Sequence, residues 1–230
     1  MMMCFDPMEL QFTGAILSLA MAIGMLILFM ANRSSTPFLY WSLAGVLNTF
    51  AYFWSSFFDV VALPFGSTLV ALNIGLENTL FALNYVFILL GVLNHLSIQF
   101  NIKHIITIMI FLFGLQFIAA LSYSFEVRIT VFTLCVMIIK LVGIYLLYQG
   151  IKHAKRLHYL PLFIIEILVL LQLMLRAIFT LFAEVGYIIE PNHPINTTGW
   201  LADILYISIV SFACVIVIMK DKHSNDINRL

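Results

Sequence analysis

The chain has 230 residues, 63% of them hydrophobic and only 10% charged, with 11 basic and 11 acidic side chains and a mean hydropathy of +1.08. A soluble domain is about half apolar and about a quarter charged, so this composition leaves too few polar groups to cover a surface in water. The balanced charge gives no argument for nucleic-acid binding, and three scattered cysteines (Cys4, Cys135, Cys214) suggest neither a disulfide framework nor a metal site.

About 20 apolar residues cross the hydrocarbon core of a bilayer. Seven segments qualify, at roughly 9–31, 36–58, 67–93, 104–124, 127–149, 158–182 and 199–219. The expected fold is an all-α integral membrane bundle of seven transmembrane helices. No basic residue precedes the first segment, which is too long for the core of a signal peptide. All six prolines (Pro7, Pro37, Pro64, Pro161, Pro191, Pro194) fall at or near predicted ends, where a missing N–H is tolerated. Between the last two segments, residues 183–199 (AEVGYIIEPNHPINTTG) read as the longest loop, a solvated connection or a lid.

Arg33, then Lys103, then Lys152, Lys155 and Arg156, and finally Lys220, Lys222 and Arg229 occupy alternate connections. Acids fill the others: Asp6 and Glu9, Asp59, Glu126, Glu184 and Glu190. Arg128 alone breaks the alternation. Basic loops stay cytoplasmic, which puts the N-terminus outside and the C-terminus inside. Trp54 and Trp200 fall near the outer boundary and Trp41 near the inner one, as aromatic belts require.

Within the third segment, NIGLENTLFALN (73–84) places Asn73, Glu77, Leu80 and Asn84 within about 60° of one another on a helix. Asn78 points away from this stripe, whereas Gly91 lies on the stripe's own side and permits close approach. Further along, Lys140 (segment 5), Glu166 and Arg176 (segment 6) and Asp203 (segment 7) are also ionisable groups inside spans. Each raises the insertion free energy by about 2.5–3.5 kcal/mol at mid-bilayer, so such groups face the bundle interior, pair, or line a wet cavity. Depth alone matches Arg176 with Asp203, and Lys140 with Glu77 or Glu166.

Asn73, Glu77, Asn84, Lys140, Glu166, Arg176 and Asp203 are therefore the candidate ligand- or signal-sensing residues. Arg128 and His193 are candidates at the outer face. The competing explanation is interhelical glue, at about 0.6–2 kcal/mol per contact. No histidine pair has metal-ligand spacing, and no Walker loop, nucleophile elbow or catalytic triad is recognisable, so neither metal, cofactor nor catalytic residues are expected.

Helix 2 with LYWSLAGVLNTFAYF (39–53), helix 3 with ENTLFALNYVFILLGVLNHL (77–96), lone arginines at 128 and 176 and the basic exit MKDKHSNDINRL (219–230) together resemble a known group. These features are similar to the seven- or eight-helix membrane input domains that precede diguanylate cyclase (GGDEF) domains and some sensor histidine kinases. The resemblance implies a sensory domain over residues 1–219 and a cytoplasmic exit helix over 220–230. It further implies a small or lipophilic cue, a cytoplasmic output domain or partner protein, and dimerisation. No GGDEF, EAL or kinase sequence is present, so the chain itself is expected to have no cyclase activity.

The alternative is a small multi-pass transporter or channel for a cation or small solute, served by the acidic and amide groups at mid-span. Against it stand the absence of mid-span prolines and of an internal three-helix repeat. A retinal protein would want a lysine in the seventh segment, and residues 199–219 hold none.

Overall fold

A computed structural model describes residues 7–33, 35–60, 68–98, 101–121, 125–154, 159–182 and 194–227. These residues form seven α-helices: α1 Pro7–Ala31, α2 Pro37–Val60, α3 Thr68–His95, α4 Ile102–Leu121, α5 Phe125–Ala154, α6 Leu160–Phe182 and α7 Pro194–Ile227. The described residues contain no strand.

Four helices are long and apolar enough to cross a membrane: Met8–Ala31, Thr68–His95, Val127–Lys152 and Leu160–Thr180. The apolar stretches of α4 and α7 among the described residues, Ile106–Leu121 and Leu201–Val217, are shorter. In α2 the hydropathy is diluted by Ser42, Asn48, Thr49, Ser55 and Ser56.

Local signals set several ends. Pro37 opens α2, where its missing N–H is no loss, and the Thr36 carbonyl accepts from Leu39 N–H at 3.0 Å. Asn101 caps α4, its Oδ1 accepting from Lys103 N–H at 2.9 Å. Helix α3 ends in a Schellman motif: Ile98 N–H reaches the Leu93 carbonyl, Ser97 N–H reaches that of Asn94, and Ser97 takes a φ of 61°. Pro194 opens α7, so residues 194–199, expected to belong to a loop, are its first turns.

Neighbouring helices in sequence pack together throughout, except that α4 also lies outside the main ring. Helix α7 returns to α1, and α3 touches α5 directly, leaving α4 laid over the seam between those two. The polarity of this bundle is inverted relative to a water-soluble protein. Large apolar side chains such as Phe182, Phe212 and Ile110 face outward, whereas Ser18, Asn48, Asn84, Gln116, Thr133, Lys140 and Glu166 are buried. Such a surface suits hydrocarbon and would aggregate in water.

Where hydrocarbon surrounds the helices, small residues and interhelical hydrogen bonds must supply the adhesion. Between α1 and α2, a Cβ on Gly45 would stand 2.7 Å from the Ser18 carbonyl oxygen. The same contact is stitched by Asn48 Nδ2 donating to Ser18 Oγ at 3.0 Å and Ser42 Oγ donating to the Ala22 carbonyl at 2.8 Å. Between α3 and α4, Asn78 Nδ2 donates to Gln116 Oε1 at 3.2 Å. Asn78 thus finds its partner off the polar stripe, as its angular position requires.

Gly91 lets α3 approach α2. A methyl group there would collide with the indole of Trp41, which is wholly buried and donates Nε1–H to the Ile88 carbonyl at 3.1 Å. This corrects the expectation that Trp41 belongs to an interfacial belt. The close approach makes Trp41 part of the core (its one donor is satisfied by backbone), so it has no need of the interface. A methyl group on Gly24 would meet nothing within 4 Å, which makes that position a control. Gly91→Ala is expected to lower stability by about 1–3 kcal/mol through overpacking, while Gly24→Ala leaves it unchanged or slightly raised. Thermal unfolding of the purified protein in detergent measures both.

Candidate functional site

Five helices contribute to one polar cluster in the interior of the bundle. Helix α5 contributes Lys140 and α6 contributes Glu166, 2% and 5% exposed, with Lys140 Nζ 2.9 Å from Glu166 Oε2. Helix α7 contributes Tyr206, whose hydroxyl donates to Glu166 Oε1 at 2.6 Å. One turn earlier on α7, Asp203 accepts from Tyr52 of α2 at 2.5 Å and from Tyr85 of α3 at 2.6 Å. The Tyr85 and Tyr206 rings lie 5.4 Å apart, and the Lys140 ammonium rests over both, 4.2 and 3.4 Å from their centroids.

The spacing of the chain explains the assembly. Asp203 and Tyr206 are three residues apart and share one face of α7. Tyr206 turns toward α6, while Asp203 reaches across the ring to α2 and α3, neither of which is a sequence neighbour of α7. Gly14 of α1 gives Tyr52 its space, since a methyl there would strike the phenol ring.

An isolated charge in this environment would be prohibitive, and a pair becomes tolerable only when its remaining polar atoms are satisfied. Glu166 has both oxygens engaged, one by Lys140 and one by Tyr206. The ion pair has unusual geometry. At 2.9 Å its distance is short, yet neither Lys140 Nζ nor Glu166 Oε2 makes an aligned hydrogen bond. Contact is therefore side-on, and the two ring faces provide the rest of the ammonium's stabilisation, about 0.5–2 kcal/mol per cation–π contact.

Of the residues singled out by sequence, Lys140, Glu166 and Asp203 come together here. Lys140 takes Glu166 of the two acids matched by depth. Asp203 forms no ion pair with Arg176; two tyrosine hydroxyls serve it instead. Arg176 is half-buried with its guanidinium against Gly199, one turn before Asp203, and its Nε lacks a hydrogen-bond partner. Asn73 and Glu77 are half-buried on α3, and Glu77 has an interaction partner of its own. Asn84 is 1% exposed, and neither of its amide atoms is hydrogen-bonded. Arg128 is half-buried in the first turn of α5 and engaged with a neighbour. His193 lies outside the described residues.

Sequence reasoning missed the three tyrosines. The available signal was their depth: Tyr52, Tyr85 and Tyr206 lie well within spans, where a phenol hydroxyl needs a partner. A phenol at the membrane interface finds its partner in water or headgroups instead.

Removing one member of the pair tests its energetic role. Lys140→Met alone is expected to destabilise the protein by about 3–5 kcal/mol, because it strands the Glu166 charge. Adding Glu166→Gln should recover at least half of that loss. A double-mutant cycle from denaturant unfolding in mixed micelles reads the coupling, and strictly additive losses would contradict it. No protein-family model, no curated protein and no solved structure matches this chain.

Proposed function

We propose that this chain is a sensory input unit of a bacterial inner membrane, crossing it seven times with the N-terminus outside and the C-terminus in the cytoplasm. A small or lipophilic cue alters the packing around the buried charges. The rearrangement passes through α7 to a cytoplasmic output, a cyclic di-GMP or phosphorelay enzyme on the same or a partner chain.

One observation carries this reading. Helix α7 holds Asp203 and Tyr206, which bind it to α2, α3 and α6, and it continues unbroken to Ile227, past the end of its apolar stretch at Met219. The eight residues of helix from Lys220 to Ile227 extend about 12 Å at about 1.5 Å per residue. A rotation or shift of α7 inside the bundle is thereby delivered at a distance. A ligand can drive it only through a difference in affinity between two arrangements. The polar network sets the free-energy gap that the cue must overcome, because displacing α7 breaks hydrogen bonds that hydrocarbon cannot replace.

The transporter reading would need solute-sized space beside these charges. The cavity that touches Lys140 and Glu166 measures about 10 Å³.

Fusing residue 230 to a diguanylate cyclase catalytic domain gives a direct readout. Tyr206→Phe and Asp203→Asn are expected to change cellular cyclic di-GMP several-fold at equal membrane levels. One residue inserted after Met219 turns the exit by about 100° and should do the same. Unchanged output in all three defeats the proposal. Topology has its own test: alkaline phosphatase joined after Leu230 should be inactive, and a fluorescent protein there should fluoresce.

A further inference from the structure

Arg176 stands inside the apolar stretch of α6, four residues before its end at Thr180, or about 6 Å at about 1.5 Å per residue. A charge at that depth needs a partner or a wet surface. Among the described residues no carboxylate pairs with it: Glu166 is committed to Lys140, and Asp203 to Tyr52 and Tyr85. Its Nε is sealed off without an acceptor, while the residue as a whole is half-buried and keeps part of its surface open. Gln172, four residues earlier, is also half-buried, on the same face of α6. Both side chains converge on Gly199 of α7. A Cβ built on that glycine would stand 3.4 Å from Arg176 Nη1 and 3.9 Å from Gln172 Nε2. A full positive charge and the N–H groups of a guanidinium and a carboxamide therefore meet at one point, and no described anion answers them.

We propose that Arg176 and Gln172, lying against Gly199, form a binding site for a phosphate group, carried by a phospholipid headgroup or free in solution. The planar fork of a guanidinium matches phosphate oxygens bidentately, and the amide adds a neutral donor beside it. Glycine at 199 keeps the approach to Nη1 open, since any side chain there would enter it. Leu168, Leu175 and Phe179 are exposed on α6 beside the two polar groups, a strip that suits an acyl chain and favours lipid as the source. Depth agrees, because the end of a span lies near the headgroup layer and an arginine stem reaches toward it. The site stands whether or not the bundle transmits a signal.

The delipidated full chain in maltoside micelles, which contain no phosphorus, separates the two sources. Phosphatidylglycerol and inorganic phosphate are titrated separately, with diacylglycerol as the phosphate-free lipid. At saturation one or both phosphates should raise the thermal midpoint by roughly 2–4 °C or more, and diacylglycerol should not. A rise with phosphatidylglycerol alone assigns the site to lipid; a rise with inorganic phosphate shows that the free anion fits. Arg176→Gln should abolish the rise, and Gln172→Leu should raise the half-saturating concentration several-fold. Arg33→Gln, an arginine outside the site, should respond as wild type does. Without phosphate, Arg176→Gln should melt no lower than wild type, because it removes an uncompensated charge. A lower midpoint there, or failure to fold, would mean that Arg176 has a partner within the chain, and overturns the proposal. So does an unresponsive wild type, an equal rise with diacylglycerol, a full response in Arg176→Gln, an unchanged affinity in Gln172→Leu, or a response lost equally in Arg33→Gln.

Discussion

An ammonium and a carboxylate in the middle of an apolar bundle constrain everything around them. Lys140 and Glu166 cannot be separated without exposing a bare charge to hydrocarbon, so α5 and α6 are held in one register. Glu166 needs a second donor, and Tyr206 brings α7 to it. Lys140 needs cover on its other sides, and the rings of Tyr85 and Tyr206 supply it. Tyr85 in turn directs its hydroxyl to Asp203, which also binds Tyr52. From one buried pair, a chain of requirements fixes the relative position of five helices.

That hierarchy explains where the bundle is rigid by packing and where by polarity. The α1–α2 contact relies on Gly45, Ser18 and Asn48, and the α2–α3 contact on Gly91 with the buried Trp41. The first is a close backbone approach of the kind common between helices in lipid, and the second seats an indole ring on a glycine. On the opposite side, α5, α6 and α7 meet through charge and phenol at Lys140, Glu166 and Tyr206. The peripheral α4 contributes Gln116, which accepts from Asn78 and donates to the Cys135 sulfur at 3.7 Å, and supplies nothing to the charged cluster.

Helix number and approximate limits were legible because long apolar runs and terminal prolines are local signals. The membership of Lys140, Glu166 and Asp203 in an interior cluster was legible too, since a charge inside a span has few places to go. Partner choice was not. Depth matched Arg176 with Asp203, but a helix face and its distance to a neighbour depend on crossing geometry that no single segment encodes. Trp41 was misread because a tryptophan near a predicted boundary suits a belt equally well; the glycine that draws it inward is 50 residues away. The start of α7 was misplaced because 194–199 is rich in Asn, Thr and Gly, residues typical of loops, and Pro194 marks a helix start only when a helix follows.

The functional reading rests on α7 being both tied to α2, α3 and α6 through the buried polar network and continuous to Ile227, past its apolar stretch. Its central claim is that the polar network sets the position of that helix. Spin labels at Ser97→Cys, at the end of α3, and Met219→Cys, on α7, in a chain whose Cys4 is replaced, report the distance between the two by pulsed electron resonance. In the Tyr85→Phe/Tyr206→Phe double variant, with the fold intact by circular dichroism, the distribution should shift or broaden by several ångströms relative to the parent. Superimposable distributions would mean that packing alone positions α7, and the network would lose its proposed role.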